Sequence, residues 1–120
     1  MNDKLQLESE ECGSFLLVRA SGELSERTTA RFKATLLAEI QDHGHTHMIV
    51  DFSGCTYVNS SGVGILNLIA KKLLNLGGRL GVVNPNDAVR DILATSSDTD
   101  ALIREYKDLE EAAADMAKDE

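Results

Sequence analysis

Apolar and polar residues alternate along this chain with two periods, and the switches between those periods predict its elements. Leu5 and Leu7 alternate with polar neighbours, the pattern of a half-buried strand. Glu11-Cys12-Gly13-Ser14 supplies turn chemistry and Phe15-Leu16-Leu17-Val18 reads as a second strand, so the two form a hairpin. The period then lengthens. Phe32, Leu36 and Ile40 recur every four residues, with Leu37 beside them, which predicts a helix with Ser25 as its N-cap and Gly44 at its end. Met48 to Phe52 is a short apolar run rich in β-branched residues and reads as a central strand. A second helix starts at Ser60 or Ser61 and runs to about Leu76. Its apolar face comprises Ile65, Leu66, Leu68, Ile69, Leu73 and Leu76, and Gly77-Gly78 stops it. Arg79 to Val83 is the next strand.

Asn84-Pro85 ends that strand and leads into a short helix over 87–94, with Val89, Ile92 and Leu93 inward. A polar loop over 96–100 follows, then a last strand over 102–106. Asp108, with Glu111 three residues on, opens a terminal helix over about 108–118 in the manner of a capping box. The order β-β-α-β-α-β-α-β-α predicts an α/β fold. We expect a mixed, mostly parallel sheet of four to five strands with about four helices.

Composition narrows this picture. The 120 residues fit one domain, 1–120, with enough chain to bury a core without disulfides or metal. Aromatics make up only 4% and Trp is absent, so Leu, Ile, Val and Ala must fill that core. A net charge of −8 argues against binding nucleic acid or an anionic membrane surface. The longest apolar run is far short of the roughly 20 residues that cross a bilayer, so no membrane insertion is expected. The opening Met-Asn-Asp-Lys-Leu-Gln-Leu-Glu lacks the basic-then-apolar form of a signal peptide, and the expected location is cytoplasmic. Cys12 and Cys55 are too few for a disulfide framework and read as reduced thiols.

The candidate chemistry sits at Asn59-Ser60-Ser61-Gly62-Val63-Gly64, between a strand and an apolar helix. A helix N-terminus carries unpaired N–H groups and partial positive charge, so a serine there is suited to carry a phosphate. The bland reading of the same residues is a helix cap with two glycines that allow a tight turn and close packing. Enzymatic readings fail on particular residues. A dinucleotide fingerprint needs glycine where Asn67 stands. A nucleophile elbow needs glycine at Val58 or Asn59, and no Gly-Lys-Ser/Thr is present. His43, His45 and His47 alternate and would share one face of an extended segment, but no further ligand is identifiable nearby, so they read as a loop. Arg27, Arg31 and Lys33, with Glu26, lie on the exposed side of the first helix, either as ordinary surface charge or as a docking face.

Asp51-Phe52-Ser53 followed by Val58-Asn59-Ser60-Ser61-Gly62-Val63-Gly64-Ile65-Leu66 resembles the signature of STAS domains. That family includes bacterial anti-sigma factor antagonists and the cytoplasmic tails of sulphate transporters. Gly22-Glu23-Leu24, Asn84-Pro85 and the segment 106–112 fit the same pattern. The resemblance implies a binding protein with no catalysis and no cofactor of its own. In such antagonists a partner kinase phosphorylates the serine after an Asp, a position that maps onto Ser60. Asn59, Ser61 and Gly62 would shape the acceptor turn, and Ser25, Arg27 and Arg31 would add partner contacts. The unphosphorylated form binds the anti-sigma factor, often itself the serine kinase, and so frees the sigma factor. Two positions depart from the family: its Asp before the serine is Asn59, and its Asp after Gly-x-Leu is Ser25. The departures imply a divergent antagonist, or a module that acts by docking alone. Two alternatives stand beside this: a STAS subunit of a lipid or anion transport complex, and a nucleotide-binding sensor domain or small enzyme.

Overall fold

The β-branched and leucine-rich runs assemble one sheet. A computed structural model describes residues 5–13, 15–84, 87, 90–91 and 103–118. Five strands lie in chain order across it: β1 (Leu5–Glu11), β2 (Leu16–Leu24), β3 (His47–Val58), β4 (Arg79–Val83) and β5 (Ile103–Tyr106). β1 runs antiparallel to β2, and every other pair is parallel. Three helices complete the described structure: α1 (Thr29–His43), α2 (Ser60–Asn75) and α3 (Leu109–Ala117). The mixed, mostly parallel sheet agrees with expectation. The helix expected over 87–94 falls mainly outside the described residues, as does the loop over 96–100.

Alternation along the strands divides the core between the two faces of the sheet. Leu16, Val18 and Ala20 of β2, Met48, Val50 and Phe52 of β3, and Leu80 and Val82 of β4 pack with Phe32, Leu36 and Ile40 of α1 and with Leu66, Ile69 and Leu73 of α2. On the opposite face, Leu17, Ile49 and Val83 pack with Tyr106 and with Ala112 and Met116 of α3. β4 is buried on both faces, as its unbroken apolar run requires.

Four local readings need correction. β3 does not stop at Phe52 but continues to Val58, paired with a β2 that continues to Leu24. The register slips twice, between Arg19 and Ser21 and again between Gly22 and Glu23, each time with an extra residue on β3. The buried positions there, Phe52, Cys55 and Val58, fall three apart. Two bulges therefore erase the period-two signal. Gly22-Glu23-Leu24 accordingly lies within β2 rather than after it. Ser25 does not cap α1. The helix begins four residues later, because the buried Thr28 hydroxyl accepts from the Ser25 amide at 2.9 Å and donates to the Glu23 carbonyl at 2.8 Å, holding 25–28 as a turn. On α2, Leu68 and Leu76 are 40% and 53% exposed, and the inward positions the pattern lacked are Val63 and Ala70.

The stop at Gly77-Gly78 has a steric origin. Gly77 sits at φ +83°, and the Gly78 amide donates to the Leu73 carbonyl at 2.7 Å. A Cβ on Gly78 would fall 1.6 Å from the Thr46 carbonyl oxygen.

Candidate functional site at the N-terminus of α2

β3 ends at Val58, and Asn59 turns the chain in extended geometry into α2. Its side-chain oxygen accepts from the Gly62 amide at 3.0 Å, and its carbonyl accepts from Val63 at 3.2 Å. Asn59 is thus the N-cap, as its chemistry allows. The amides of Ser60 and Ser61, in the first turn, have no intrahelical acceptor. Both serines are exposed, Asn59 is half-buried and Gly62 is buried. α2 has no acidic residue in its first turn, so no carboxylate of its own offsets the positive end of the helix dipole.

The two glycines of this turn differ in kind. A Cβ on Gly62 would lie 2.8 Å from the side chain of Leu24 and 3.1 Å from Val58, so the helix start packs against the end of β2 only with glycine there. A Cβ on Gly64 would meet nothing within 4 Å.

A second turn is held beside the first. The Asn59 amide donates to the Leu24 carbonyl at 3.1 Å, which fixes the start of α2 to the residue before Ser25. Ser25 is half-buried, its carbonyl accepting from Thr28 and Thr29 and its hydroxyl accepting from the Arg27 amide at 3.4 Å. Arg27 is exposed on that turn. Arg31 is exposed one turn along, with its guanidinium donating to the Leu5 carbonyl on β1. The structure therefore brings Asn59, Ser60, Ser61, Gly62 and Ser25 together through one backbone bond, and ties Arg31 to the sheet edge.

Tyr57, 47% exposed and three residues before Ser60, gave no sequence signal because it lies past the second bulge, where alternation no longer reports facing. Exposed tyrosine is a frequent anchor in protein interfaces. Asp51 accepts from the Ser53 amide at 2.9 Å and from the Asn84 side chain at 3.3 Å, so it ties the β3 and β4 segments together. Burial raises the pKa of the Cys55 thiol, and of the Cys12 thiol, above the ordinary value, which keeps both protonated. His45 lies 3.4 Å from Glu11 and 3.9 Å from Glu39, and among the described residues no group of three metal-ligating side chains converges. No described helix is long and apolar enough to cross a membrane.

A family model for the STAS domain matches residues 6–112. The chain is 32% identical over 93 residues to the anti-sigma F factor antagonist of Paenibacillus polymyxa, an alignment spanning 77% of this chain and 79% of that protein. Its structure is similar to that of an anti-sigma factor antagonist from Mycobacterium paratuberculosis, with TM-score 0.86 and 23% identity over 98% of this chain and 97% of that one. It is also similar to the Bacillus cell fate determinant SpoIIAA in its phosphorylated form, with TM-score 0.70 and 24% identity over 95% of this chain and 99% of that one.

Proposed function

This chain belongs to the STAS domain family, and from that footing we propose that it is a regulatory binding module of the anti-sigma factor antagonist kind, docking an anti-sigma factor that is also a serine kinase. Ser60 is the phosphoacceptor. Asn59, Ser61 and Gly62 shape the acceptor turn. Ser25, Arg27 and Arg31 border the docking surface across the Asn59–Leu24 backbone bond, with Tyr57 as an added anchor. The module works in the cytoplasm and catalyses nothing; ATP and Mg²⁺ belong to the partner. The kinship with a protein named as an anti-sigma F factor antagonist supports this reading.

The observation that carries it is the exposed Ser60 at the first position of α2, on a helix start with no acidic residue. Such a site accepts a phosphate without unfolding, since the helix end stabilises the added charge. The same phosphate, carrying about −2, imposes desolvation and repulsion on any partner seated over it. A loss of about 3 kcal/mol at such an interface weakens binding by more than a hundredfold.

The test is incubation with the cognate kinase, ATP and Mg²⁺, read by intact mass. The parent and Ser61→Ala are expected to gain one phosphate and Ser60→Ala none. Ser60→Asp is expected to bind the partner at least tenfold more weakly than the parent. An unmodified parent would remove the switch, and unaltered binding by Ser60→Asp would remove the docking geometry.

A further inference from the structure

Charge is distributed unevenly over this molecule. It carries 20 Asp and Glu against 12 Lys and Arg, yet α2 contains no carboxylate along its whole length. A hollow of about 580 Å³ lies between α1 and α2, lined by Leu37, Gly64 and Leu68 and by Lys33, Lys71 and Lys72. Among the described residues no carboxylate lines it. The crevice at Ser53, Asn84 and Lys107 is different, because there Arg90 is paired with Glu105 at 3.0 Å. Among the described residues none of these three lysines forms an ion pair. Three lysines beside apolar side chains, with no carboxylate among the described lining residues, make a surface that an acidic occupant complements.

Gly64 adds an independent observation. Glycine inside a helix costs about 1 kcal/mol relative to alanine. Among the described residues nothing requires it here, since a Cβ would meet no atom of theirs within 4 Å. Its effect is to leave the α2 backbone bare where it lines the hollow, so that a second backbone can approach closely. Ser60, Gly64, Leu68, Lys71 and Asn75 recur at spacings of three and four, so they form one stripe, all of it exposed. From Gly64 to Asn75 the stripe runs about 17 Å, or three helical turns.

We propose that the hollow between α1 and α2 docks an acidic amphipathic helix of the partner protein, its apolar side chains on Leu37 and Leu68 and its carboxylates on Lys33, Lys71 and Lys72. The proposal rests on the docking role given above and extends that surface along α2, away from the acceptor serine. The two are separable, because Ser60→Ala abolishes the switch and leaves the hollow intact.

The probe is a synthetic helical peptide with leucines at i, i+4 and i+7 and glutamates flanking them. It is titrated into the ¹⁵N-labelled full chain, both parent and Ser60→Ala. Amide shifts are expected at Lys33, Leu37, Gly64, Leu68, Lys71 and Asn75 in both proteins. The triple variant K33E/K71E/K72E is expected to bind at least tenfold more weakly with an unchanged circular dichroism spectrum. Gly64→Leu, which adds bulk to the lining without altering charge, is expected to bind equally weakly. Equal binding of a control peptide with lysine in place of glutamate would overturn the proposal. So would shifts confined to other faces, or concentration-dependent self-association that covers the same residues.

Discussion

Gly62 and Gly64 look alike in the sequence, and the structure gives them opposite roles. Gly62→Ala pushes a methyl to 2.8 Å from the Leu24 side chain and 3.1 Å from that of Val58, both of them buried. Overpacking of this kind costs about 1–3 kcal/mol, which outweighs the helix propensity gained. Gly64→Ala meets no obstacle and is expected to stabilise the fold by about 0.5–1 kcal/mol. Urea unfolding of the two variants beside the parent is expected to move the midpoint down for the first and up for the second, with the slope unchanged in both. The start of α2 was legible: the helix begins at Ser60 as expected, with Asn59 as its cap because the short polar side chain reaches the Gly62 amide. What was not legible was which glycine serves the fold, since that depends on Leu24, far away in sequence.

At the scale of elements, the terminal helix shows why some boundaries can be read directly. Asp108 accepts from the Glu111 amide at 2.9 Å, and the Glu111 carboxylate accepts from the Lys107 amide at 3.4 Å. Every participant lies within five residues, so the local sequence contains the whole signal. Asp108→Ala is expected to cost about 1 kcal/mol. Hydrogen exchange is expected to locate the loss in α3 while amides of β2 and β3 keep their protection. The start of α1 shows the opposite case. Ser25 has the chemistry of an N-cap, but Thr28 takes the local hydrogen bonds through Glu23, and that competition depends on where β2 ends. β3 hid its second half for a related reason. Its two bulges move the buried positions to Phe52, Cys55 and Val58, a spacing that matches neither a regular strand nor a helix. Past those bulges β3 runs on to Val58, so that Asn59 follows it directly as the cap of α2.

At the scale of the whole molecule, a mixed, mostly parallel sheet followed from the order of elements, and the described residues form such a sheet, with helices packed on both of its faces. The fastening of α3 did not follow from it. Tyr106 donates its hydroxyl proton to Asp115, and Arg104 pairs with the same carboxylate. Burial, and then the Asp115 bond, push the Tyr106 hydroxyl up from 10.0 to about 12, while the Tyr106 and Arg104 bonds hold the Asp115 carboxyl below its ordinary 3.8. The Tyr106 contribution is therefore complete below pH 10 and fades as pH rises toward about 12. The Asp115 contribution is complete above its unfolded value of 3.8 and fades as pH falls below it. Asp115→Asn is expected to cost about 1 kcal/mol near neutrality, a charged hydrogen bond discounted for partial exposure. In urea unfolding at stepped pH, the gap between parent and variant is expected to close below the ordinary carboxylate range.

An open sheet offers its two outermost strands to any extended chain that passes. Here the first of those strands, β1, carries Glu8, Glu10 and Glu11, three exposed carboxylates in a row of seven residues. Another acidic polypeptide that tried to lie alongside would be repelled before its amides could engage. The rim of the sheet is thereby closed to acidic chains, whereas the helical side presents the exposed Ser60 and a hollow lined by lysines.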